Sequence, residues 1–318
     1  MTTEPLQYES TSPDTRGLNA LPDHRSQARP KPVDFLVPAP PEIGPVSSAE
    51  STLRPNRKPI PLVLRLLMGT LFAGAIVWAF SWASEDVRKG DRQGIMIMGL
   101  CFAVAAFAID MYLTRFVALF SFVGRDGVAR LTVKGRRNAL PKTELLVFAQ
   151  AYALRAAQTR QFVNGVYTGT TYDYVWSDPA GKRLLRLRGT YRGRKGPPKA
   201  GDAFHFASAA EIAWSIHYLD RAQAELEARG SIEFWVDKNR RVRVGPGFLE
   251  FDFGGESPVR VTREEIASVS LGQGVFSFKH NDARWYSRSG KYNFRYGAMA
   301  NAKVFLLALD KLMGYRWT

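Results

Sequence analysis

The sequence contains a single cysteine, Cys101, and only four histidines among its 318 residues. One cysteine excludes an intrachain disulfide and a zinc site built from several thiolates. The histidines stand in unrelated sequence contexts, so their spacing predicts no metal site; they are His24, His205, His217 and His280.

Sequence signatures of catalysis are also missing. The chain has no glycine-rich phosphate loop, no metal-ligand spacing and no nucleophile elbow. The acidic pair Glu264-Glu265 does not replace them, because neighbouring side chains in a strand or turn point apart. We therefore expect a protein that is not an enzyme and that uses no cofactor and no metal.

Residues 60 to 123 include two long stretches that are nearly free of charge. The first, from Ile60 to Ala83, has one charged residue, Arg65, and the second, from Gly94 to Thr114, has only Asp110. About 20 apolar residues are enough to cross the core of a bilayer. The sequence predicts a transmembrane helical hairpin over residues 60–123, with both ends on the same side because the connecting loop is short.

Basic residues are concentrated at the outer ends of this hairpin. Because cytoplasmic flanks are enriched in lysine and arginine, the distribution favours a cytoplasmic (inner) membrane protein with both termini in the cytoplasm. The outer flanks hold Arg54, Arg57, Lys58, Arg125, Arg130, Lys134, Arg136 and Arg137, whereas the loop holds Arg88, Lys89 and Arg92.

Arg65 and Asp110 each lie roughly 7 to 10 Å inside the cytoplasmic end of their helix, from the 1.5 Å rise per residue. An ionisable group at that depth is costly unless it pairs or reaches the interface. We predict an Arg65–Asp110 ion pair, with separate snorkelling of each group as the alternative. Small residues four apart, such as Gly69 with Ala73, allow close helix packing or a homo-oligomer. The hairpin is interpreted as an anchor.

The segment before the hairpin, residues 1–59, is rich in proline. Ten of the eighteen prolines fall within the first 55 residues, and large apolar side chains are few. This composition predicts a disordered tail. The apolar island Val33 to Val37 is a candidate docking motif for a partner.

The net charge of the chain belongs to the part after the hairpin. The last 196 residues carry 32 basic and 18 acidic side chains, a net charge of +14. Such a region is attracted to anionic surfaces, and the nearest one is the membrane. The alternative is a soluble surface with an excess of lysine and arginine.

Two helices are predicted in this region, one near Ala209 to Arg229 and one near Ala298 to Met313. Ser208 and Glu211 form a capping box for the first, and Gly230 and Gly314 end the two helices. Stretches with strand periodicity precede each helix. We expect the first helix to pack on a sheet through its apolar stripe, which consists of Ile212, Ile216, Leu219 and Leu226.

This repeated order predicts an α+β fold with two units, residues 124–230 and 231–318, each an antiparallel sheet followed by a helix. The arrangement resembles the pleckstrin-homology (PH)-like fold. Together with the hairpin, it is similar to the bacterial membrane-anchored PH-like proteins, including the YcxB-like group. The resemblance implies tandem PH-like units, and it implies a lipid-binding basic motif that Lys238, Arg241 and Arg243 satisfy; Trp214 matches the helix tryptophan of the family.

Lys182 to Lys199 is the most strongly patterned basic stretch. In a strand, period-two alternation puts its cations on one face and its apolar side chains on the other. This face is predicted to dock on anionic lipid or on an acidic partner; the alternative is a solvated face that charge protects from aggregation. The predicted residues are Lys182, Arg186, Arg188, Arg192, Arg194 and Lys195.

The expected function is binding and scaffolding, in which the basic domain holds a partner protein or anionic lipid at the membrane. The alternative is recruitment of nucleic acid to the membrane, because aromatics interleaved with arginines can stack on bases. Tyr172, Tyr174 and Trp176 have that placement, although aromatics in strands more often pack in a core.

Overall fold

The computed structural model describes residues 15–28, 33–54, 60–84, 89–193, 198–254, 257–284 and 290–315. The helices are α1 (Leu62–Ala83), α2 (Lys89–Leu113), α3 (Ala203–Arg229) and α4 (Ala302–Met313). The strands are β1 (Val46–Ser51), β2 (Val117–Gly124), β3 (Gly127–Lys134), β4 (Lys142–Val147), β5 (Ala153–Val163), β6 (Val166–Ser177), β7 (Arg183–Tyr191), β8 (Ile232–Trp235), β9 (Arg241–Gly245), β10 (Phe248–Asp252), β11 (Val259–Thr262), β12 (Ile266–Gly272), β13 (Val275–His280) and β14 (Lys291–Arg295).

The strands form four antiparallel sheets, in the orders β1-β2-β3-β4, β5-β6-β7, β11-β10-β9-β8 and β12-β13-β14. We call β1–β7 with α3 the first half, and β8–β14 with α4 the second half. Each half runs through a four-stranded sheet, a three-stranded sheet and then a helix. The predicted α+β class is confirmed, and α3 and α4 end at the predicted Gly230 and Gly314, both in the left-handed conformation that glycine adopts without strain.

The two apolar helices, α1 and α2, are inserted between β1 and β2. Both are long and apolar enough to cross a membrane, and few of their side chains are buried by the rest of the protein. β1 and β2 nevertheless pair directly: Ser51 lies opposite Phe120, and the Thr52 amide donates to the Leu119 carbonyl at 3.0 Å. Both helices therefore leave from one end of the first sheet.

The predicted hairpin boundary at residue 123 is wrong, because the chain from Val117 to Gly124 is strand β2. The alternate side chains Ala118, Phe120 and Phe122 are fully buried on one face of the sheet. The apolar run that was predicted to continue the helix is thus a strand that is covered on both faces. Periodicity alone does not distinguish a buried strand from a buried helix in so short an apolar run.

The prediction of a disordered tail is wrong for residues 15–28 and 33–54; the other residues of the tail lie outside the described ones. Its scattered apolar residues cover the outer face of the first sheet. Phe35 packs on Phe120 and Phe122 at ring distances of 6.1 and 5.7 Å, and Ile43 and Leu53 are buried beside them. The island around Phe35 therefore docks within the chain itself, where burial of these few side chains stabilises the ordered segment.

Helix α3 buries a different face from the predicted one. Ile212, Ile216 and Leu219 are 47%, 62% and 40% exposed, while Trp214 and Tyr218 are buried. The aromatic side chains remove more apolar area from water, so they determine which face packs. The helix also begins earlier than predicted, at Ala203, where the Asp202 side chain caps the Phe204 amide.

Asn301 joins the two halves. Its side-chain oxygen accepts hydrogen bonds from the Leu154 amide and from Trp214 Nε1, both at 2.9 Å, and its own amide donates to the Leu154 carbonyl at 2.7 Å. Asn301 has a φ of +56°, which asparagine tolerates better than most residues. The hydrophobic core is accordingly continuous from β5–β7 to α4.

Candidate functional site

The alternation predicted for β7 is confirmed. Arg186 and Arg188 are exposed, whereas Leu185 and Leu187 are buried against the core. Arg186 is engaged by Asp173, with an N–O distance of 2.5 Å, and this pairing lowers the pKa of the Asp173 carboxyl. Arg188 makes no hydrogen bond or ion pair with the part of the chain that the structure describes.

Of the other four cations predicted around β7, the structure describes two. Lys182 and Arg192 are exposed at the two ends of the strand. Arg194 and Lys195 lie outside the described residues. The described cations therefore form a short exposed row, of which Arg186 is already neutralised by a carboxylate.

The basic motif implied by the family resemblance lies in another sheet, at β9. Lys238 is exposed in the turn before this strand, but Arg241 and Arg243 are engaged in ion pairs. Their partners are Glu233 for both arginines, together with Asp252 for Arg241 and Glu250 for Arg243. These carboxylates neutralise the charges that the motif was predicted to offer to a lipid.

The predicted Arg65–Asp110 ion pair is wrong. Arg65 Nε donates to Thr114 Oγ1 at 2.9 Å, and another of its N–H groups donates to the Met111 carbonyl. Asp110 Oδ2 is buried near Gly69 without a hydrogen-bond partner among the described residues. The guanidinium is attracted to the carbonyls at the end of α2, where the helix dipole is negative.

A further group of cations lies where α1 and α2 leave the first sheet. The loop between β3 and β4, residues 135–141, is hereafter the basal loop. The Gly135 amide donates to the Phe116 carbonyl at 2.8 Å, which holds this loop beside the end of α2. Leu140, close to the start of β4, is 89% exposed. The cations at this end of the sheet are Arg115, Lys134, Arg136, Arg137 and Lys142, all exposed except the half-buried Arg137.

Sequence reasoning used several of these basal cations only to orient the hairpin and did not treat them as a site. Their clustering depends on the pairing of β2 with β3, which brings Val117 opposite Lys134. The signal in the sequence was the density of basic residues between 130 and 142. Arg137 lies 3.5 Å from Asp34, while neither Arg136 nor Lys142 has a carboxylate partner among the residues that the structure describes.

Comparison of the chain with protein-family models, with curated proteins and with solved structures gave no match. The functional argument therefore rests on the geometry of the chain itself.

Proposed function

We propose that this protein is a membrane-anchored binding and scaffold protein, in which two PH-like units stand on the cytoplasmic side of the membrane and the basal loop contacts anionic lipid headgroups. The observation that carries this proposal is the position of the two apolar helices, between two paired strands of one sheet. A folded domain anchored in this way is held against the bilayer in a fixed orientation.

The connection between α2 and the first sheet is short. α2 ends at Leu113 and β2 begins at Val117, which leaves three residues between them. Three residues span at most about 10 Å. The base of the first sheet is thus close to the end of α2, and the basal loop is tied to this connection through Phe116.

The chemistry of the base fits a membrane surface. Each lysine or arginine near an anionic leaflet contributes about 1 kcal/mol to binding. The exposed Leu140 of the basal loop can enter the headgroup region, where an apolar side chain is removed from water. The same cations favour the cytoplasmic side through the positive-inside rule.

The PH-like assignment is supported by the order of elements in each half. The first half differs in having its two apolar helices in the connection that follows the first strand. The scaffold role is supported by the exposed cations of β7, which lie outside the basal loop and are accessible to an acidic partner.

The test requires a soluble version that keeps β1 and β2 paired. Replacing residues 55–115 by a short turn preserves this pairing and keeps Phe116, whereas starting the chain at residue 124 removes both strands. Flotation with neutral and anionic vesicles is then compared for this protein, for Lys134, Arg136 and Lys142 replaced by Ser, and for a matched control with Arg186, Arg188 and Arg192 replaced by Ser.

We expect binding to anionic vesicles that the basal triple variant loses by roughly 100-fold, since three cations contribute about 3 kcal/mol, while the β7 control retains it. Loss confined to the β7 variant would place the lipid surface on β7 instead. Binding to DNA with steep salt dependence, and none to either vesicle, would favour the nucleic-acid alternative.

A further inference from the structure

A cleft of about 190 Å³ opens between the first two sheets, beside the first turn of α3. Leu119 and Arg130 form its wall on the first sheet, and Tyr172 and Leu187 form its wall on the second. Asp202 closes the side at the start of α3. The cleft reaches Leu119, at the end of the sheet from which the apolar helices leave.

Tyr172 is the unusual group in this cleft. It is only 4% exposed, and its ring packs on Phe204 at 5.5 Å, but its hydroxyl makes no hydrogen bond to any residue that the structure describes. Gly189 lies opposite and leaves room for the hydroxyl, since a Cβ there would stand 2.5 Å from it. The hydroxyl therefore keeps its hydrogen-bonding capacity for a molecule that enters the cleft.

The hydroxyl end of Tyr172 faces the cleft. Burial raises the pKa of this phenol, the negative charge of Asp202 raises it further, and the positive charge of Arg130 lowers it. Asp202 and Arg130 both line the cleft. The phenol therefore lies near both a carboxylate and a guanidinium.

Both charged groups keep bonding capacity. Asp202 accepts the Phe204 amide through Oδ1 at 2.9 Å, which leaves Oδ2. Arg130 binds Glu144 through Nε and one terminal nitrogen, which leaves the other terminal nitrogen. The cleft thus offers a hydrogen-bond donor on each sheet wall and a carboxylate oxygen at the start of α3. Glu50 and Arg188 also line it, so its lining holds two carboxylates and two guanidinium groups.

We propose that this cleft binds a small zwitterion, whose oxyanion contacts the Tyr172 hydroxyl and Arg130 and whose amino group contacts Asp202. Phosphoethanolamine has this chemistry, either as a soluble compound or as the headgroup of a membrane lipid. The proposal goes beyond the lipid contact of the basal loop and does not depend on it, because the two surfaces share no residue.

The test uses the full-length protein in phosphatidylcholine nanodiscs, titrated by calorimetry with phosphoethanolamine, with inorganic phosphate and with ethanolamine. We expect saturable binding of phosphoethanolamine that is about tenfold tighter than that of either single-charge compound, since each loses one charge-assisted contact. Tyr172→Phe and Asp202→Asn should each weaken it about fivefold to tenfold. Asparagine still caps the helix, so Asp202→Asn tests charge without removing the cap.

Tyr174→Phe is the matched control, because Tyr174 lies on the same strand, bonds Gln158 and does not line the cleft. This variant should bind like the wild type. A second nanodisc that contains phosphatidylethanolamine identifies the source: weaker binding of the soluble compound there shows that the lipid headgroup occupies the cleft, and unchanged binding shows a soluble ligand. Absence of saturable binding, equal binding of phosphate alone, or an equal loss in Tyr174→Phe would overturn the proposal.

Discussion

The two halves of the molecule share an order of elements but differ at one connection. In the second half, β8 and β9 are joined by residues 236–240 alone. In the first half, the corresponding connection between β1 and β2 contains both apolar helices. The comparison shows that a sheet accepts a large insertion at its end when the flanking strands remain paired.

The halves also differ in how their four-stranded sheets are covered and charged. The outer face of the first sheet is covered by the tail, including Phe35 and Ile43. In the second half, Arg241 and Arg243 are neutralised by three carboxylates on neighbouring strands. Among the residues that the structure describes, Arg115, Lys134, Arg136 and Lys142 at the base of the first half are exposed and form no ion pair, and we place the membrane there.

The largest effect is expected where the halves meet. Asn301→Leu leaves the buried Leu154 amide and Trp214 Nε1 without an acceptor, so the free energy of unfolding should fall by about 3 kcal/mol. Chemical denaturation measures this free energy, and Asn293→Leu, a substitution at an exposed asparagine, is the control. A loss no larger than that of the control would mean that Asn301 does not couple the halves.

A smaller effect on stability should follow from disturbing the tail, which covers the four-stranded sheet of the first half. A Cβ at Gly124 would collide with the Ile43 carbonyl, a backbone atom that cannot rotate away. Gly124→Ala is expected to lower the free energy of unfolding by about 2 kcal/mol and to expose the tail to protease. Gly272→Ala, in β12 with open space around it, should change stability much less. Equal effects would contradict the tail packing.

The charge networks of the halves provide a third comparison. Arg243→Gln removes one guanidinium from a network with Glu233 and Glu250 and should cost about 1 kcal/mol. Arg188→Gln in the first half removes an arginine without an ion pair and should change stability by less than about 0.5 kcal/mol. The reverse order in denaturation experiments would contradict the assignment of the second network as structural.

The smallest effect is a pH dependence at the contact between the halves. Burial raises the pKa of Glu211, while Lys303 partly offsets this. A carboxyl whose folded pKa is raised stabilises the fold most at low pH, and its contribution falls as the pH rises through the raised pKa. Glu211→Gln should therefore flatten the loss of stability above pH 4.5, whereas the exposed Glu227→Gln should not. Identical pH profiles for both variants would exclude this role.

Local periodicity was sufficient to predict the apolar helices, the α+β class, the glycine ends of α3 and α4, and the alternation of β7. It failed for β1 and β2, because their pairing spans the whole insertion and β1 is too polar to show a strand pattern. It also failed for α3, where the stripe of Ile212 and Ile216 is as periodic as the buried face and only packing around Trp214 decides between them.

The candidate site depended on the same long-range pairing. The basal loop becomes a cluster only when β2, β3 and β4 lie side by side. Likewise, the partners of Arg241 and Arg243 are on adjacent strands, so the sequence alone showed a free basic motif where the structure has ion pairs. Arg65 donates to the Met111 carbonyl and to the Thr114 hydroxyl. The depth of Arg65 in the membrane, estimated by counting residues, does not reveal these partners.

The most direct test of the central claim is the depth of the basal loop in an anionic bilayer, measured by nitroxide quenching of a fluorophore at single cysteines. A label on native Cys101 in α2 is the reference that our account places in the bilayer core, and Leu140→Cys and Asn239→Cys are made with Cys101→Ser. Our account predicts a label at headgroup depth for residue 140 and a label in water for residue 239. A residue 140 label as accessible to water as that at residue 239 would contradict the claim that the first half stands on the membrane.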